Sequence, residues 1–392
     1  MANDSFTVTS SRSWFSRIKD SIKGILVGIV LFVIAFPLLF WNEGRAVKTA
    51  RGLKEGLAAV VTVGTDRVDP QYEGKLVHLT GDAVTHDVLQ DPVFPVSLNA
   101  MKLSRKVEMY QWKENSRTTT KKKLGGGEER VTEYTYEKAW SSSHINSSNF
   151  HVAEGHQNPP SMLYESASWS ANDVKFGAFK LSPGLVSRIS NFQNLNLQDD
   201  EENSLSARLW EGIKLSNGML YQGQDPASPQ IGDMKISFQY VEPKQTVSLI
   251  SRQVRDTFEP YNTKAGTTIE RLETGVVSSD AMFAQAFREN TMMTWILRIV
   301  GFLMMFFGLS MILKPLSVLG DIVPFIGSII GMGTSIFAGV IALIFSFLTI
   351  ALGWIVYRPF LGVILLIIAG GLVFLVIKML RGAKRKNVVE AE

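Results

Sequence analysis

Cysteine is absent from all 392 residues, which excludes a disulfide framework, thiolate metal sites and a cysteine nucleophile. Between residues 42 and 294 no apolar run is long enough to cross a bilayer, so the chain is not a transporter built of spans throughout. Charge is missing from residues 24–41, and from Met332 to Ile377 the single charged side chain is Arg358. Those two gaps exclude a purely soluble protein. A Walker A loop, a G-x-S-x-G elbow and an H-E-x-x-H helix are missing as well. Gly125–Gly127 is followed by Glu128 and Glu129, which repel phosphate, so that stretch reads as a flexible turn. No cofactor is expected.

What the sequence does have is unevenly spread. The net charge of +4 comes from the ends of the chain, because residues 42–294 carry slightly more acidic than basic side chains. Arg12, Arg17, Lys19 and Lys23 precede the first apolar run, and Lys378, Arg381, Lys384, Arg385 and Lys386 follow the last. Clusters in those places act as topology signals and lipid headgroup contacts. No basic stripe with interleaved aromatics is present, so nucleic acid is not an expected partner.

The expected layout has four spans. Residues 1–23 form a basic tail, and Gly24 to Trp41 makes a first span of about 27 Å. Its end, Pro37-Leu-Leu-Phe-Trp-Asn42, lacks the small residues of a signal-peptide cleavage site, so it is an uncleaved anchor. A second span covers 295–313, opening on the interfacial Trp295 and stopping at Lys314-Pro315. Residues 314–332 are apolar but broken by Pro324, Gly327 and Gly331, and read as an interfacial or re-entrant segment. Spans three and four follow at 333–357 and 359–377, separated by the turn at Arg358, with a basic tail at 378–392. Trp41, Trp295 and Arg358 are candidate anchors, while Gly24-x-x-x-Gly28 and Gly327-x-x-x-Gly331 let helices approach closely. The positive-inside rule puts both termini in the cytoplasm and residues 42–294 across the membrane.

That long segment reads as a strand-rich α+β domain inserted between spans one and two, held by helical stalks at both ends. Alternation with period two marks strands at Lys75–Thr80, Lys106–Trp112 and Arg130–Tyr136, the last two joined by an exposed hairpin tip around Lys121–Gly127. Asp233–Tyr240 and Thr246–Ile250 look like a second hairpin. Ser182 and Pro183 begin a short helix presenting Leu185, Val186, Ile189 and Phe192 on one face. Ser279 caps a helix that runs into the second span.

Two features carry possible chemistry. His144, His151, Glu154 and His156 lie close together and could fold onto a zinc ion, yet no spacing matches a helical i,i+4 pair. The surrounding Asn and Pro residues point instead to a hydrogen-bonded structural loop. Arg298 sits one turn inside the second span, where an intramembrane charge hints at function. Snorkelling to headgroups near Trp295 is the preferred reading, with pairing inside the bundle as the alternative.

Several motifs resemble the transmembrane protein 43 family, also called LUMA. They are Asn42-Glu-Gly-Arg45-Ala-Val-Lys-Thr-Ala, Glu73-Gly-Lys-Leu-Val-His78, Val107-Glu-Met-Tyr-Gln-Trp112, Gly155-His156-Gln-Asn-Pro159, Leu181-Ser-Pro-Gly-Leu185 and Gly353-Trp354-x-x-Tyr357-Arg358-Pro359. The resemblance implies four spans with a large lumenal loop, no established catalytic residue, and a scaffold that self-associates. Animal members of the family reside in the endoplasmic reticulum and inner nuclear membrane, where they contact emerin and lamins. No feature here demands a nucleus, and family members also occur in bacteria, so those partners are not carried over; a bacterial member is expected, with the inner membrane and a periplasmic domain as the equivalents. A non-enzymatic membrane scaffold is therefore expected, with membrane lipids, further copies of itself and unidentified proteins as partners. The rival readings are an envelope or lipid enzyme or metal sensor using the His144–His156 loop, and a channel or transporter.

Overall fold

The computed structural model describes residues 5–198 and 212–360. Four helices are used below: α1 (Trp14–Ala59), α2 (Pro183–Arg188), α3 (Ser279–Gly320) and α4 (Pro324–Tyr357). Of these, α1, α3 and α4 are long and apolar enough to cross a membrane. The expected fourth span at 359–377 falls almost wholly outside the described residues, as do Lys378, Arg381, Lys384, Arg385 and Lys386.

The chain separates into two compact units. One is strand-rich and takes in residues up to Ser10, Gly52–Thr120 and Arg130–Gln285. The other is helical and takes in Ser11–Arg51, Lys121–Glu129 and, among the described residues, those from Ala286 to Phe360.

Among the described residues, the strand-rich unit is built on two large sheets. In one, strand order runs Ser5–Arg12, Glu128–Ser141, Lys102–Lys122, Met234–Val241, Met219–Gln222, Ile213–Ser216. In the other it runs Phe179–Lys180, Val174–Phe176, Leu76–Thr85, Lys244–Val254, Thr257–Glu259. Leu103, Val107, Met109, Ile236 and Phe238 bury one face of the first sheet. Val77, Leu79, Val247 and Leu249 do the same for the second, joined by Leu185 and Val186 of α2 and by Ile189 just after it. Alternation puts these side chains inward, as a half-buried pleat requires. Ser182 caps α2 as its sequence suggests, its Oγ accepting from the Leu185 amide at 3.4 Å.

The second expected hairpin does not form. Met234–Val241 pairs with Lys102–Lys122, whereas Lys244–Val254 pairs with Leu76–Thr85, so the chain changes sheets at Glu242-Pro243. Proline cannot donate to a ladder and suits such a crossing point. Both strands still alternate, and local periodicity carries no information on which neighbour a strand chooses.

The end of α1 from Gly52 and the start of α3 up to Gln285 belong to the strand-rich unit. A Cβ on Gly52 would meet the Thr267 hydroxyl, and one on Gly56 would meet Ile269 and Phe283, so glycine permits α1 to lie against the strands. Ser278, one residue before the expected cap, begins α3: its Oγ accepts from Ala281 at 3.3 Å and its carbonyl from Met282 at 3.0 Å.

Residues 314–332, expected as an interrupted interfacial or re-entrant segment, are mostly regular helix. Helix α3 continues through Pro315 to Gly320, the chain turns at Asp321–Val323, and α4 starts with Pro324 at its first turn. One proline inside a helix removes a single hydrogen bond, and a proline at a helix start removes none. The apolar residues on both sides are therefore free to continue as helix. Where α1 crosses α3, a Cβ on Gly28 would lie 2.6 Å from the Gly308 carbonyl oxygen, while Gly24 faces the end of Met311 at 3.7 Å. Gly327 is pressed against Asp321, and a Cβ on Gly331 would meet the Ser317 hydroxyl at 2.8 Å. These glycines set how closely α1, α3 and α4 pack.

Candidate functional site

Charge within the helical unit is gathered into two clusters. They sit near Arg298 and beyond Gly320 on α3, about 33 Å apart at helical rise, close to the thickness of a bilayer's hydrocarbon core. Trp41 and Trp295, both exposed, lie near the first of them in sequence.

The first cluster joins all three long helices. Glu43 of α1 is 0% exposed and pairs in bidentate fashion with Arg298 of α3. Arg298 Nε donates to Oε1 at 2.7 Å and an Nη to Oε2 at 2.9 Å. From α4, the Trp354 indole N–H donates to Oε2 at 2.8 Å. The guanidinium lies 4.8 Å from the centroid of Trp295 and 5.7 Å from that of Trp354. Gly353 leaves room for this, since a Cβ there would stand 3.0 Å from the Glu43 side chain. Pairing replaces snorkelling for Arg298: its side chain is held inward by a carboxylate and two indoles. Glu43 is the partner that sequence reasoning misses. The available signal is an opposite charge at the end of a neighbouring apolar run.

The rest of the Asn42–Arg45 motif extends the same network. Asn42 donates to the Thr294 carbonyl at 3.0 Å, and Arg45 donates to Asn290 at 3.1 Å, Asn42 at 3.2 Å and the Thr294 hydroxyl at 3.0 Å. Asn290 returns a hydrogen bond to the Ala46 carbonyl at 3.0 Å. Tyr357 packs over Gly44, where a Cβ would stand only 2.6 Å from its ring. Arg358, expected as an anchor, closes α4 through its backbone N–H, which donates to the Trp354 carbonyl at 2.7 Å.

At the second cluster, Asp321 in the α3–α4 turn is 1% exposed and accepts from two cations. Arg17 reaches it at 2.5 Å and Lys122 at 2.6 Å. Arg17 also pairs with Glu128 at 3.1 Å and donates to the Gly126 carbonyl. Arg17, expected at headgroups, is consumed by these contacts instead. Lys19 and Lys23 remain exposed, and Arg12 pairs with Asp20. The hairpin tip expected to be free is docked in the helical unit: Gly125 N–H donates to the Ile322 carbonyl at 3.0 Å, and the Trp14 indole donates to the Val318 carbonyl at 2.8 Å. Gly126 has φ +80°, and a Cβ on it would lie 2.3 Å from the Trp14 ring, so glycine is required twice over. Arg17 and Lys122, far apart in sequence, share one carboxylate.

The histidine loop belongs to the strand-rich unit. His156 is buried, stacked on Tyr136 at 3.9 Å, edge-on to Trp112 at 4.8 Å, and its Nδ1 lies 3.0 Å from the Val152 carbonyl. His151 stacks on Tyr134 at 4.3 Å, and His144 Nε2 lies 2.7 Å from the Pro159 carbonyl. Glu154 is exposed. Among the described residues no three His, Asp or Glu side chains converge on a metal position. The neighbouring acid is Glu114, which accepts from the Tyr136 hydroxyl at 2.7 Å. Burial, and then that bond, raises the Tyr136 pKa. Asn158 fixes the loop by donating to the Trp112 and Ile145 carbonyls and accepting from the Trp112 amide at 2.7 Å. The Gly155–Pro159 motif is therefore a clamp on the strand carrying Trp112.

A buried pair of similar design holds the first sheet: Arg105 and Asp91 meet at 2.6 Å, with Arg105 between the Phe94 and Trp169 rings. A polar groove of about 360 Å³ on this unit is lined by Asp66, Asp69 and Gln253.

Residues 109–359 match the sequence model of the family described as Transmembrane protein 43. The chain is 38% identical to Transmembrane protein 43 of Homo sapiens over 364 residues, covering 90% of this chain and 89% of that protein. It is 36% identical to the Mus musculus protein over 356 residues, covering 88% and 87%. With the Transmembrane protein 43 homolog of Drosophila melanogaster it shares 30% identity over 348 residues, covering 87% and 91%. No solved structure matches.

Proposed function

Because the chain belongs to the transmembrane protein 43 family, we propose that it is a non-enzymatic membrane organiser that self-associates and binds partner proteins through its strand-rich unit. One observation carries this reading. The described side chains best suited to acid–base chemistry are committed to holding elements together: Glu43 to Arg298 and Trp354, Asp91 to Arg105, His156 to Tyr136 and Trp112. Chemistry of that kind builds a rigid frame, and a frame anchored by several membrane-length helices serves as a platform. Its partners in this reading are membrane lipids, further copies of itself and other proteins. Both units contribute to assembly: the helices through their exposed apolar faces, the strand-rich unit through its polar surface.

Covalent cross-linking in native membranes, followed by mass identification, tests partner binding directly. Mass photometry of the purified chain tests assembly, and particles of more than one chain are expected. Single-chain particles across several mild detergents and nanodiscs would remove self-association from the proposal.

A further inference from the structure

The end of the helical unit that holds Glu43 and Arg298 is strongly basic. Among the described residues its cations are Arg45, Lys48, Arg51, Arg288, Arg298 and Arg358, set against Glu43 and Glu289. Glu43 is buried and consumed by Arg298, so it offers no charge outward. Arg45 is held by Asn42, Asn290 and Thr294. Arg51 donates to the Tyr357 carbonyl at 3.1 Å, which brings it beside Arg358, the next residue. Lys48 and Arg51 are exposed, and Arg358 is half-buried.

A lane along α1 leads to these cations. Val27, Ile34 and Trp41 are 50%, 49% and 56% exposed, and the exposed Lys48 follows at the same spacing. Seven residues make nearly two helical turns, so the four share one face with a drift of about 20° per step. From the middle of α1 outward, the lane is aliphatic, then aromatic, then cationic. A phospholipid leaflet presents acyl chain, interface and phosphate in that order. Helical side chains tilt toward the N-terminus, and in α1 that direction runs back along the lane, so Lys48 and Arg51 lean toward the level of Trp41. By helical rise the Lys48 backbone stands about 10 Å beyond Trp41, and a headgroup layer is about 5–7 Å deep, so the long side chain reaches it. On α3 the same tilt carries Arg288 away from the apolar stretch, which leaves it out of the group.

We propose that Lys48, Arg51 and Arg358 form a headgroup site for an anionic phospholipid whose acyl chain lies along Val27, Ile34 and Trp41. The site goes beyond the scaffold reading and does not rest on it. It requires only that α1 and α4 stand in a bilayer.

The test uses the full chain in nanodiscs of equimolar phosphatidylglycerol and phosphatidylcholine, with Trp41→p-benzoylphenylalanine as a photocrosslinker in the lane. Mass spectrometry of the adducts reads which headgroup was captured. Phosphatidylglycerol adducts should exceed phosphatidylcholine adducts at least about twofold, and salt at about 1 M should abolish the excess. K48Q/R358Q should abolish it as well, and Arg51→Gln should reduce it. K175Q/K214Q, which removes two exposed charges from the strand-rich unit, should leave it unchanged. Melting in pure phosphatidylcholine nanodiscs verifies that each variant keeps the parent fold, and the salt series on the parent decides the matter if K48Q/R358Q does not. Equal capture of both lipids by the parent would overturn the proposal. So would an excess that survives salt, or one that K175Q/K214Q reduces as much as K48Q/R358Q. Adducts to protein alone would overturn it by assigning the lane to a second copy or another chain.

Discussion

Removing one partner of the Glu43–Arg298 pair is the most informative perturbation of the helical unit. Glu43 is fully buried and accepts three hydrogen bonds, two from Arg298 and one from Trp354. Arg298→Ala leaves that carboxylate with only the indole, and an orphaned buried charge costs about 3–5 kcal/mol. Glu43→Gln keeps an acceptor for Trp354 but cannot present two oxygens to the guanidinium, so its cost should fall below that range, about 1–3 kcal/mol. Replacing both residues by apolar ones of similar volume removes the orphan, and the double variant should be more stable than Arg298→Ala alone. The assay is thermal unfolding of the full chain in nanodiscs, followed by tryptophan fluorescence, because Trp295 and Trp354 both lie over the guanidinium. A double variant whose loss equals the sum of the two single losses would refute the reasoning, since it would mean the two side chains do not feel each other. So would an Arg298→Ala melting curve that overlays the parent.

Four further outcomes are expected. Gly28→Leu should push α1 off α3 at the Gly308 carbonyl and cost about 1–3 kcal/mol, read as lowered helical-unit melting. His156→Ala should lower strand-rich-unit stability by about 1–3 kcal/mol through lost stacking on Tyr136 and lost contact with Val152, whereas chelators should leave melting unchanged; recovery of a chelator-lowered melting point by zinc would establish a metal site instead. Burial first, then its bond to Asp233, holds the Tyr221 pKa above the ordinary phenol value, so the protonated form stabilises the fold: stability from this group is complete below about pH 10 and declines as pH rises beyond it, and Tyr221→Phe should flatten that alkaline decline. Lys122→Met should leave the buried Asp321 with Arg17 alone and lower helical-unit melting; a melting curve that overlays the parent would break the arrangement of the second cluster.

Some properties of this protein follow from local physics and can be seen in the sequence. Apolar runs without charge demand helix in a bilayer, because backbone groups there find no water, and among the described residues α1, α3 and α4 cover the first three such runs. Period-two alternation marks Leu76–Thr85, Lys102–Lys122 and Glu128–Ser141, since a pleated strand buries every second side chain. Ser182-Pro183 announces α2 through capping, which involves only near neighbours. Tertiary structure decided what depends on distant partners. Arg298 reads as a lone charge until Glu43, 255 positions away, is brought against it. Arg17 and Lys122 read as separate basic groups until the α3–α4 turn offers both the same carboxylate. Met234–Val241 and Lys244–Val254 read as a hairpin because chain proximity is visible and sheet membership is not. In each case the side chain's type was written in the sequence, while its meaning came from a desolvated contact whose energy exists only once the fold has closed around it.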